Sequence, residues 1–76
     1  MTQKLIITAG ASGIGLAIAR HFASNGALVA ICDIDATAIS QVTDEFALAT
    51  TCDVTDVDAV ASFVNQAVER MGGLTT

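Results

Sequence analysis

The sequence predicts an α/β chain of order β-α-β-α-β-α, the N-terminal half of a doubly wound parallel sheet. Three observations predict it. Short apolar, β-branched runs alternate with stretches of helical period, which implies parallel strands joined by right-handed crossovers. The chain is 53% hydrophobic, 14% charged and free of proline, a balance that rules out disorder and suits strands covered on both faces. The first strand also runs directly into a glycine-dense turn that opens a helix of small residues.

Lys4 to Ala9 reads as the first strand, a continuous apolar run. From Ile14 the period changes: Ile14, Ile18 and Phe22, with Ala17 beside them, predict the buried side of a first helix, and Arg20, His21, Ser24 and Asn25 its polar side. Gly26 is the expected left-handed stop. Ala27 to Cys32 is a second buried strand, and Asp35 is placed to cap a second helix marked by Ile39, Val42 and Phe46. Leu48 to Cys52 is a weaker third strand. Thr55-Asp56-Val57-Asp58 has the shape of a capping box with Thr55 as the cap. Val60, Val64, Ala67, Val68 and Met71 then line a third helix that Gly72-Gly73 ends. The expected strand order is 3-2-1. The first strand would then show a bare outer edge, a hazard in a long apolar strand, so residues 1–76 read as one half-domain of a longer chain.

Several function classes are excluded or disfavoured. A net charge of −5 argues against nucleic acid, which calls for a basic face. No run approaches the roughly 18 apolar residues of a membrane span, and Met1-Thr2-Gln3-Lys4 does not open a signal peptide; a cytoplasmic setting is expected. Cys32 and Cys52 then read as reduced, buried small hydrophobes, and two cysteines with one distant histidine offer no metal-ligand spacing. His21 reads as a surface residue, and Phe22, Phe46 and Phe63 as core.

The turn is the most informative segment. Gly10, Ser12 and Gly15 have the spacing of a G-x-G-x-x-G dinucleotide fingerprint, but the middle position is serine. The run Thr8-Ala9-Gly10-Ala11-Ser12-Gly13-Ile14-Gly15 instead resembles the T-G-x-x-x-G-I-G turn of the short-chain dehydrogenase/reductase family. The resemblance extends over the chain through Asp33 after the second strand, Cys52-Asp53-Val54-Thr55-Asp56 after the third and Arg70-Met71-Gly72-Gly73-Leu74 at the last helix exit. It implies a Rossmann fold, a nicotinamide cofactor and hydride transfer between an alcohol and a carbonyl. By the same resemblance Gly13 lets the pyrophosphate approach, Gly15 lets the helix pack on the sheet, and Ser12 and the Ile14 amide contact phosphate. The family's first glycine falls on Ala9, whose methyl could crowd the ribose or shift the turn; Gly10 follows it.

Asp33 stands 20 residues after Gly13, where an acid accepts hydrogen bonds from the adenosine ribose and repels a 2′-phosphate. Ile34, Asp35 and Ala36 bring no basic residue, and position 12 is Ser; NAD is therefore expected over NADP. Ile34 joins the candidate set, and the family resemblance assigns Asp53 to the adenine amino group and Val54 to the ring. The family's reaction also uses a Tyr-x-x-x-Lys pair and a Ser. The chain has no tyrosine, and its only lysine is Lys4, so no catalytic residue is assigned within it. Two readings result. In one, these residues supply the adenosine–pyrophosphate site of an NAD-dependent oxidoreductase of about 250 residues, a homo-oligomer (dimer or tetramer) acting on a small molecule. In the other, the chain is a non-catalytic nucleotide-binding or interaction module whose sheet edge is covered by a partner.

Overall fold

The computed structural model describes residues 2–75. Its elements are β1 (Lys4–Thr8), α1 (Gly13–Ser24), β2 (Leu28–Asp33), α2 (Ala36–Val42), a 3-10 turn (Thr43–Glu45), β3 (Leu48–Thr51) and α3 (Val57–Met71). The three strands are parallel in the order β1-β2-β3, the arrangement expected. Lys4 pairs with Leu28 and Thr8 with Cys32, while Ala30 pairs with Leu48 and Asp33 with Thr51.

The alternation of β2 builds two cores. Val29 and Ile31 face α1 and α2, joining Ala11, Ala19, Ile39 and Val42. Ala30 and Cys32 face α3, joining Cys52, Phe63, Ala67 and Met71. Successive side chains of a strand point to opposite faces, so one central strand suffices to anchor both layers. Residues 29–32 are all buried, whereas in β1 only Leu5 is. The uniform burial expected of the first strand is absent because β1 is an edge here. Its start is tied down: the Thr75 N–H donates to the Lys4 carbonyl at 2.9 Å and the Lys4 N–H to Thr75 Oγ1 at 2.9 Å. The Lys4 ammonium donates to the Gly72 carbonyl at 3.2 Å.

The structure corrects four details. The buried side of α1 is not Ile14, Ala17 and Ile18. Ile14 is 80% exposed and Ile18 43%, while Ala19 is buried and Leu16, Phe22 and Ala23 pack on the core. The first half of the helix carries no polar side chain to mark a face, Arg20, His21 and Ser24 lying in its second half; the close approach of Gly15 to the Ala9 carbonyl turns that side of the helix inward. Phe46 lies outside α2, which stops at Val42 and passes into the 3-10 turn, although Phe46 still packs on the same core. In α3 the buried stripe centres on Phe63, Ala67 and Met71, and Val68 is exposed. The cap of α3 is Asp56, whose Oδ1 accepts from the Asp58 and Ala59 N–H groups at 3.1 and 3.2 Å; the Thr55 hydroxyl is turned to Asp53. Asp35 caps α2 as expected, accepting from Thr37 and Ala38, and Gly26 has φ +88°.

Cys32 and Cys52 are free and buried. Burial, then the neighbouring Cys52 and Asp33, push the Cys32 thiol up to about 12, so its thiolate, the reactive species, is scarce near neutrality.

Two outcomes are expected. Asp56→Ala lowers stability by about 1 kcal/mol in urea unfolding and Thr55→Ala by less than half as much, the reverse of the ranking that Thr55 as cap would give. Cys32 in the native chain stays unreacted with a disulfide reagent at pH 8, as mapped by mass spectrometry, and reacts once guanidinium unfolds the protein.

Candidate nucleotide site

The carboxyl ends of the three strands and the start of α1 meet at one end of the sheet, where ligands of open α/β sheets bind. The turn between β1 and α1 is shaped by close approach. A Cβ on Gly15 would lie 2.2 Å from the Ala9 carbonyl oxygen, and one on Gly10 would lie 2.8 Å from Ile31 Cβ. Both glycines are therefore required by packing. Gly13 differs: it has φ +59° and nothing within 4 Å of where a Cβ would be, so it leaves open space in front of the helix.

That space faces an uncapped helix terminus. Ser12 precedes α1 in extended conformation, and its side chain makes no capping bond; the first turn carries no acid. Among the described residues, nothing accepts the N–H groups of Gly13, Ile14 and Gly15. Both other α-helices have Asp caps. Unpaired N–H groups together with the positive end of the helix dipole form a ready seat for an anion. The residues present therefore fit a phosphate group.

Beside this terminus lies a cleft of about 140 Å³ lined by Ala9, Asp33, Ile34, Cys52, Asp53 and Val54. Five of these six are sequence candidates. Cys52 was read only as core, and its place under the cleft follows from the Cys52 N–H bond to the Asp33 carbonyl at 2.9 Å, a tertiary contact without a sequence signal. Ile34 and Val54 are 67% and 56% exposed, two apolar side chains left in water at the cleft. Gly10, Ser12, Gly13, Ile14 and Gly15 belong to the turn and helix start and do not line it.

Asp33 ends β2 and has two attachments. Its Oδ2 accepts from the Ala11 N–H at 3.2 Å and its Oδ1 from the Asp35 N–H at 3.1 Å. The carboxylate thus fastens the glycine turn to the start of α2, a supporting role that spacing did not reveal. Asp53 Oδ1 accepts from the Thr55 hydroxyl at 2.7 Å and the Thr55 N–H at 2.9 Å. These bonds hold its carboxyl below the ordinary carboxylate range, so Asp53 is an anionic acceptor at neutral pH. His21 lies exposed on α1, apart from the cleft.

Ala9 is the irregular position. It is the one non-glycine residue with positive φ among those described, at +53°, a region that disfavours any residue with a Cβ.

Fold and turn together define a Rossmann-type nucleotide-binding unit. The chain belongs to the short-chain dehydrogenase/reductase family: the short chain dehydrogenase family model matches residues 3–76. It is 43% identical over 77 residues to an uncharacterised oxidoreductase of Mycobacterium bovis, covering 95% of this chain and 31% of that protein. It is 37% identical over 73 residues to the 7alpha-hydroxysteroid dehydrogenase of Escherichia coli, covering 88% and 29%. Among solved structures it superposes on the 3-ketoacyl-(acyl-carrier-protein) reductase of Brucella melitensis complexed with NADH, with TM-score 0.82, 32% identity and coverage of 91% and 30%. A variant of actinorhodin polyketide ketoreductase with NADPH gives TM-score 0.86, 29% identity and coverage of 96% and 30%. The chain thus spans about a third of the length of the relatives it matches.

The turn makes two predictions. Gly15→Ala costs about 1–3 kcal/mol in chemical denaturation, because the new methyl overlaps the Ala9 carbonyl. Ala9→Gly raises stability by roughly 0.5–1 kcal/mol, since relief of the left-handed strain outweighs the added entropy of the unfolded chain.

Proposed function

We propose that residues 1–76 form the adenosine–pyrophosphate half of the cofactor site of an NAD(H)-dependent oxidoreductase. The parent enzyme moves a hydride between the nicotinamide and an alcohol or carbonyl of a small molecule. The observation that carries this reading is the uncapped start of α1 beside a cleft ending in Asp33. Such a terminus stabilises a diphosphate without lysine or arginine, as a chain of net charge −5 requires.

The roles follow from position. The N–H groups of Gly13, Ile14 and Gly15, with the Ser12 hydroxyl, hold the pyrophosphate. Asp33 keeps one lone pair of each oxygen for the ribose hydroxyls while its other bonds steady the turn. Ile34 and Val54 cover the adenine faces, and Asp53 accepts from its amino group. Ala9 and Gly10 bring the backbone close to the ribose. The cofactor supplies the hydride acceptor or donor when bound; this chain's residues bind and orient its adenosine end. The relatives include structures with NADH and with NADPH, so the preference for NAD rests on this chain's own residues: Asp33, an anion that repels a 2′-phosphate with no basic residue adjacent, and Ser at position 12.

Asp33→Asn keeps an acceptor for the Ala11 N–H and removes the charge. It is expected to weaken NADH binding by about 1.5–3 kcal/mol, roughly 10- to 150-fold, and to narrow the gap to NADPH, both read by calorimetric titration. Unchanged affinity for both nucleotides would remove Asp33 from the site.

A further inference from the structure

We propose that Ala9 is a specificity-determining position: it sets the width of the ribose end of the cleft and so which substituent the ribose 2′ oxygen can carry. The inference rests on the adenosine-site reading above and goes beyond the charge of Asp33.

Ala9 and Asp33 line the same cleft. Ala9 also carries the positive φ of +53°, a conformation that persists only where the surroundings over-determine it. They do so here. On one side the Ala9 carbonyl oxygen lies against Gly15, so close that a Cβ there would come within 2.2 Å of it. On the other, the Gly10 N–H donates to the Cys32 carbonyl at 3.1 Å and the Ala11 N–H to Asp33 Oδ2 at 3.2 Å. The peptide is clamped to both α1 and β2, and an alanine side chain has no rotamer to change. Ala9 is therefore a fixed wall of the cleft, held relative to the Asp33 carboxylate by the bond from Ala11.

A ribose hydroxyl entering between this wall and Asp33 is small and donates to the carboxylate. A 2′-phosphate brings three more oxygens into the same space and meets both the methyl and the charge. Glycine at position 9 would adopt the same backbone without strain and would leave that wall open. Alanine thus adds steric exclusion to the electrostatic exclusion by Asp33.

The test is Ala9→Gly in the whole protein that contains residues 1–76, titrated calorimetrically with ADP-ribose and with its 2′-phosphate, two probes confined to the adenosine half. Thermal unfolding followed by circular dichroism confirms that the variant is folded. The preference for the unphosphorylated ribose is expected to shrink about 5- to 10-fold, chiefly through tighter binding of the 2′-phosphate, as the removal of one methyl from a pocket allows. An unchanged ratio, or equal shifts for both ligands, while the parent chain binds ADP-ribose, would overturn the role of Ala9 and leave the adenosine site standing. No binding of ADP-ribose by the folded parent protein would overturn both.

Discussion

The close approach of Gly15 to the Ala9 carbonyl is the constraint on which the candidate-site end of the molecule depends. It fixes where α1 begins, how the helix is rotated on the sheet, and how the chain turns between them. A side chain at position 15 would overlap the Ala9 carbonyl, so the turn and the start of α1 would have to move apart. Ala9, whose carbonyl makes that contact, has a positive φ of +53°. The Gly10 bond to the Cys32 carbonyl and the Ala11 bond to Asp33 then tie the same turn to the neighbouring strand. Three elements converge on four residues, and the N–H groups of the helix start are left facing open space.

The central strand does the corresponding work for the body of the unit. β2 supplies Val29 and Ile31 to one layer and Ala30 and Cys32 to the other, and its last residue is Asp33. The strand that holds both cores together thus delivers the carboxylate to the cleft. Position and chemistry are coupled: a shift of one residue in register would exchange the two faces of β2 and carry Asp33 out of reach of Ala11.

The order of elements was legible because strands and helices leave different periods in the sequence, and the glycine turn because each glycine answers a spatial need. Candidate site residues on three separate loops converge because the parallel topology sends all three strand ends to one side of the sheet. The rotation of α1 was not legible over its first half: Ile14, Leu16, Ala17, Ile18 and Ala19 come in succession, and there hydrophobicity marks no single face. Nor was the choice of Asp56 over Thr55 as a cap, since both residue types cap well and the outcome turned on Thr55 being drawn to Asp53. Phe46 belongs to the core without being helical, because a side chain four residues past a short helix can reach the same core.

What the sequence determined by itself is the alternation of strands and helices, the parallel order, the family, and the residue types at the turn and after each strand. These rest on local chemistry: propensity, period and the unique freedom of glycine. Tertiary structure alone decided that Ala9 takes a left-handed conformation, that Asp33 fastens the turn as well as facing the cleft, and that Cys52 lies beneath it. Each of these depends on atoms brought together across 19 or more residues of chain, or on a peptide gripped from two sides, and no local preference specifies such contacts.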